Sequence, residues 1–327
     1  MSDNYDLNND NYMDYLDNFS DEIPSAREVR NKKREFADNP LSNKPNTKSV
    51  RAPRPQNKKS RKKGLKWVLI DLRNTPKVLI PIVSIALVLC IIIVSCSISG
   101  NKKEVPVVET QPSTVPTRVT SHQIENVPVL SQNDLTACCE SYACTMTLQY
   151  YGFDLTINEF VENYLIKKPV YYGSDGTLYG PDMDAAFAGD IYFGYGINSP
   201  AMAKCMNTYL KEKNSNLTAQ SLKGVSVEEL CEKYVAKDIP VMIWATANMD
   251  EPFVHKTWVV DYVDENSTIK VGDEVSWQMH EHCMVLIGFD EQNYYLSDSV
   301  AGKVSVFERA TFEDRYAKLG TQAIVVQ

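Results

Sequence analysis

The stretch Ser131-Gln-Asn-Asp-Leu-Thr-Ala-Cys-Cys-Glu-Ser-Tyr-Ala-Cys144 holds the residues best suited to chemistry. A polar, turn-forming segment runs into two adjacent cysteines, and a helical pattern begins there and continues to Tyr151. A thiol at a helix N-terminus sits beside unpaired N–H groups and the positive end of the dipole, which favours the thiolate. Cys139 is therefore the candidate nucleophile. Gln132, seven residues upstream, could turn its amide toward a developing oxyanion. Such a thiol needs a base and a group that orients the base, both brought from distant sequence by the fold. After residue 122 the chain has three histidines, His255, His280 and His282. His282 opens the apolar run to Phe289, so it belongs at the end of a buried strand; His280 lies further into a loop and His255 in a charged loop. Asp298 closes the run from Tyr294, the neighbouring strand of a hairpin, within reach of His282. In this arrangement the imidazole takes the thiol proton and returns it to a leaving amine, while the carboxylate fixes the tautomer. The eight cysteines form no CxxC pair and no Cys/His cluster with zinc spacing, so neither a metal site nor a cofactor is expected.

The elements that must position these residues are readable from periodicity. Cys139 to Tyr151 reads as a helix with Ala143, Met146, Thr147 and Tyr150 on one stripe and Gly152 as its C-terminal stop. Thr156 and Glu159 form a capping box for a second helix carrying Ile157, Phe160, Val161, Tyr164 and Leu165. A third helix starts at Ser199-Pro200, and Ser226 caps a fourth. Residues 168–198, rich in Gly, Asp and Tyr, read as one long loop. Asn126–Ser131 reads as a short opening strand, and 239–246, 283–289, 294–297, 304–307 and 323–326 as further strands, with a short helix over 311–319. Helices first and strands afterwards predict an α+β domain over 123–327, a helical lobe on one side of an antiparallel sheet.

The chain before this domain is of a different kind. Residues 1–22 contain no basic residue, whereas 23–77 carry 17 Lys/Arg against 4 Asp/Glu, and 123–327 carry 14 against 29. The arm over 1–77 is too polar to bury a core and is expected to be disordered. Val78–Ile98 has no charge across 21 residues, a length that crosses a bilayer core as a single helix. Basic residues crowd its N-terminal flank, with eight between Arg51 and Lys66, which predicts a cytoplasmic N-terminus and an extracytoplasmic domain. The same cluster could also rest on anionic lipid. No aromatic interleaving accompanies it, so nucleic acid is not an expected partner. Ile93-Val-Ser-Cys96 resembles a lipobox with Cys96 as the lipidated residue, but so long a preceding segment does not fit a signal peptide. Residues 99–122, rich in Pro, Thr, Val and Ser, form a spacer.

Several ordered blocks carry a family resemblance. Val127-Pro-Val-Leu-Ser-Gln132, Cys139-Glu-Ser141 and Tyr150-Tyr-Gly-Phe153 resemble the start of the C39-like cysteine peptidase domains of Gram-positive bacteria. Gly180–Asp190, Gly194-Tyr-Gly196 and Glu281–Asp290 are similar to that family's later blocks. The resemblance covers about residues 124–327. It implies a papain-like fold, hydrolysis of a peptide or protein substrate, and the roles of nucleophile for Cys139, oxyanion amide for Gln132, base for His282 and orienting acid for Asp298. Two positions depart from the family pattern: Cys138 stands where Gly is usual, and Ser299 where Pro is common. A non-catalytic surface module on the same fold is the alternative outside enzymes, and a transglutaminase-like or cell-wall amidase thiol enzyme the alternative within them. A sortase is disfavoured, since there the histidine precedes the cysteine. The oligomeric state is not readable from the sequence.

Overall fold

The computed structural model describes residues 119–132 and 135–327. The arm, the apolar run 78–98 and most of the spacer lie outside the described residues. Among the described residues no helix is long and apolar enough to cross a membrane.

In chain order the elements are β1 (His122–Gln123), α1 (Cys139–Tyr150), α2 (Ile157–Asn163), β2 (Lys167–Lys168), β3 (Tyr171–Tyr172), β4 (Leu178–Pro181), β5 (Phe187–Asp190), β6 (Phe193–Gly196), α3 (Ser199–Glu212), β7 (Ala219–Lys223), α4 (Val227–Lys233), β8 (Val241–Thr246), β9 (Val254–Tyr262), β10 (Glu274–Gln278), β11 (Glu281–Phe289), β12 (Asn293–Asp298), β13 (Lys303–Glu308), α5 (Arg309–Lys318) and β14 (Gln322–Val326). The principal sheet runs β13-β12-β11-β8-β14-β7, with β1 added to β11, and every pairing in it is antiparallel. β11 sits at its centre with all but one residue buried.

Strand alternation sorts the side chains of β11 onto two faces. Cys283, Val285 and Ile287 join a core built with Tyr142 and Met146 of α1, Phe160 of α2 and Met202 and Met206 of α3. Met284 and Leu286 join a second core with Val227 and Leu230 of α4 and Phe312 and Tyr316 of α5. The α+β expectation holds at this level, but helices cover both faces of the sheet rather than one. The reason lies in the sequence of β8 and β11, which are apolar at consecutive positions, so neither face tolerates water.

Other expectations need correcting. Residues 168–198 are not one loop but short strands: β3 and β4 belong to a four-stranded sheet with β9 and β10, and β5 and β6 to a three-stranded sheet with β2. At two to four residues each they are too short to show a period. The β9–β10 hairpin and the edge strand β7 are likewise absent from the sequence reading, and His255, expected in a loop, lies in β9. Residues 126–131 form no strand; Asn126 turns left-handed at φ 64° and Pro128 has no N–H for a ladder, so the pairing falls to β1.

Candidate active site

α1 begins at Cys139, with Cys138 as its N-cap residue. The cap has φ −122°, within the range of any L-residue, so this backbone does not require glycine there. The Cys138 thiol turns away to donate to Ile191 O at 3.3 Å. α1 then packs across β11, which brings Cys139 to the strand end where Glu281, His282 and Cys283 lie.

At that end β11 and β12 place His282 and Asp298 together. His282 Nε2 and Asp298 Oδ1 are 2.9 Å apart, with the two residues 0% and 3% exposed. Asp298 Oδ1 also accepts from the N–H groups of Val300 and Ala301, and Oδ2 from Ser305 Oγ at 2.8 Å. Burial opposes its ionisation, yet the His282 ring, the Ser305 hydroxyl and the Ala301 N–H together hold the carboxyl below its ordinary range.

Gln132 is tied to the same corner. Its backbone N–H donates to Ser299 O at 2.8 Å, and its Oε1 accepts from Ser299 Oγ at 2.9 Å. Ser299 therefore uses a hydroxyl that proline would lack. The Gln132 amide nitrogen donates to Leu135 O at 3.1 Å and Thr136 O at 2.7 Å, bracing the turn that delivers Cys139.

The thiol itself sits in surroundings the sequence did not announce. Cys139 is 4% exposed, and its Sγ donates to Glu140 Oε2 at 3.4 Å. Glu140 Oε1 accepts from Ile197 N–H at 2.8 Å. One atom each from Cys139, Glu140 and Glu281 lie within 4.8 Å of one another. Burial, then the charges of Glu140 and Glu281, push the Cys139 thiol well above its ordinary range, with only the Cys283 N–H opposing. The expected helix-terminus effect is thus outweighed, because desolvation and two acids act on the same sulfur. Burial also raises Glu140, and burial with Glu140 beside it raises Glu281 strongly.

The sequence reading assigns a role to neither acid. Their one mark in the sequence is adjacency to expected site residues, Glu140 to Cys139 and Glu281 to His282; their burial in α1 and β11 is visible only in the fold. A cleft of about 240 Å³, lined by Met183, Tyr195, Ile197, Trp277 and Gln322, opens onto Glu281 from the surface.

With this geometry in view, comparison with known proteins is decisive for the family. Residues 124–324 match the model of the Peptidase_C39 like family. The chain belongs to that family. It carries a cysteine-peptidase-type domain of mixed α and β structure. A Bacillus subtilis (strain 168) protein, uncharacterized protein YvpB, is 29% identical over 191 residues, 58% of this chain and 68% of that one. A crystal structure from Bacillus anthracis assigned as a C39-like peptidase is 27% identical, covers 63% of this chain and 97% of its own, and superposes with a TM-score of 0.51. The peptidase domain of Streptococcus ComA, a bifunctional ABC transporter of a quorum-sensing pathway, matches at 12% identity and a TM-score of 0.34 over 61% of this chain and 96% of that one, too far to carry an argument.

Proposed function

We propose that this C39-like chain is a membrane-anchored, extracytoplasmic cysteine peptidase acting on a peptide or protein substrate. One observation carries the reading: a buried imidazole hydrogen-bonded to a buried carboxylate, His282 to Asp298, at the strand end against which the helix start bearing Cys139 packs. Because Nε2 is committed to Asp298, proton exchange with the thiol falls to Nδ1 of His282. In the reaction His282 takes the Cys139 proton, the thiolate attacks the scissile carbonyl, and the protonated imidazole gives its proton to the leaving amine. A water then enters, loses its proton to His282 and releases the acyl group from sulfur. Gln132 serves as oxyanion donor once its amide turns from Leu135 O or Thr136 O toward the substrate.

The anchor is the apolar run Val78–Ile98, supported by its length and the basic N-terminal flank. Membrane fractionation with protease access to intact cells tests it: the domain should stay with membranes and be cut from outside. Recovery in the cytosol would remove the topology.

One observation favours a second reading, a non-catalytic module on the same fold: the thiol is buried and held protonated. Peptide hydrolysis by the wild type that Cys139→Ala abolishes, with the thermal transition unchanged, separates the two. Equal hydrolysis by both proteins would end the enzyme reading.

A further inference from the structure

We propose that Glu140 and Glu281 share one proton and, as a positioning pair, hold Cys139 in its thiol form until His282 takes the thiol proton. The proposal rests on the reading of Cys139 as the reactive thiol. Its basis is geometric. The two carboxyls come from different elements, α1 and β11, and converge on Gly196. A Cβ at Gly196 would lie 2.5 Å from Glu140 Oε1 and 3.0 Å from Glu281 Oε2. The backbone there has φ +104°, so glycine is required twice over, by conformation and by the two oxygens.

Every element around the pair contributes. α1 supplies Cys139 and Glu140, β11 supplies Glu281, His282 and Cys283, and β10 supplies Trp277, whose hydrogen bond to Glu281 favours its charged form. β6 and the residue after it supply only backbone, with Ile197 N–H on Glu140 Oε1. Asp298 stands behind His282. The one imidazole of this group bonds Asp298 and also favours charge on Glu140, while burial and the neighbouring carboxyl oppose a second charge on the pair. One proton stays with the pair at neutral pH. The remaining negative charge lies beside the sulfur, because Glu140 is the acceptor of the Cys139 S–H. A thiolate would have to form next to that charge. The resting sulfur is therefore a poor nucleophile toward oxidants and stray electrophiles, an asset for a thiol outside the cell.

The sign with pH follows. At acid pH the pair is neutral. As pH rises it acquires one charge and the thiol becomes harder to ionise. Alkylation of Cys139 should then climb with pH more gradually than a single-proton curve. The test uses the full chain, with iodoacetamide as probe and peptide mass spectrometry to read the modified residue, for wild type, Glu140→Gln, Glu281→Gln and the double variant. The double variant should have its inflection about one pH unit lower, which is about tenfold faster alkylation at a fixed pH below it. Glu140→Gln should give most of that shift, since it removes the negative charge nearest the sulfur while leaving an oxygen to accept from the thiol. Glu281→Gln should give little, since Glu140 then carries the charge alone. Reaction at Cys139 with an unmoved inflection in the double variant overturns the pair alone. Reaction at another cysteine overturns the reading of Cys139 and the proposal with it. If the variants do not fold, the native protein decides: its infrared spectrum at pH 7 should show a protonated-carboxyl band that disappears on unfolding, and lack of that band overturns the proposal.

Discussion

At the scale of single residues, Cys139, His282, Asp298 and Gln132 sit within one corner of the molecule, linked by Ser299 and by the packing of α1 on β11. Replacing His282 by Ala should lower kcat by about 10²–10⁴-fold while leaving the far-ultraviolet spectrum unchanged, as expected for loss of a general base. Asp298→Asn should cost activity as well, because an amide can donate to the ring and favour the wrong tautomer. The steady-state measurement is kcat on one peptide; unchanged turnover in Asp298→Asn would separate that residue from the chemistry. The start of α1 at Cys139 and the pairing of His282 with Asp298 were legible because each residue stands at the boundary of a periodic run, although all three are buried. The burial of Glu140 and Glu281 was not, because an acid at a helix start or strand end looks solvated in sequence, and only the crossing of α1 and β11 buries it.

At the scale of elements, sequence and structure agree where a local hydrogen bond defines the boundary. Thr156 accepts from Glu159 N–H, and Ser226 from Glu229 N–H, each starting a helix as the capping pattern predicts. Thr156→Ala and Ser226→Ala should each lower stability by about 1 kcal/mol in chemical denaturation. Agreement fails where pairing partners are distant. β4 pairs in parallel with β9, about eighty residues away in sequence, and β7 pairs with β14 while Asn207 of α3 bonds the backbone of Ala219. Neither strand has a local signal strong enough to stand alone. Gly196→Ala is the sharpest element-scale test. A methyl group there meets both carboxyls in a left-handed backbone, and the loss should be about 2–4 kcal/mol in the same assay. A neutral result would mean that β6 does not hold the acid pair.

At the scale of the whole molecule, the sheet between two apolar layers sets a rigid frame, and the buried acids make that frame sensitive to pH. Asp298, held below its ordinary range, contributes stability that is present above its unfolded value and lost as pH falls through the lowered one. Glu140 and Glu281 work in the other direction. Their contribution is present below the unfolded value of about 4.3 and is lost as pH rises through their raised values. Denaturation across pH should show Glu281→Gln gaining on the wild type as the solution becomes more alkaline; a constant difference would contradict that linkage. The basic arm, apolar run and acidic domain give the chain an asymmetry legible from composition alone, whereas the two-sided burial of the sheet was not, since a continuous apolar strand does not say what covers each face. On the proposed reading Cys139 works outside the cell, unreactive toward small electrophiles at rest and attacking a peptide carbonyl seated beside His282. Intact cells treated with a membrane-impermeant peptidyl electrophile, which occupies the substrate position, are compared for wild type, Cys139→Ala and His282→Ala. One adduct is expected, on Cys139, absent in the first variant and strongly reduced in the second. Labelling that persists in Cys139→Ala, or that appears only after the cells are broken, would contradict that reading.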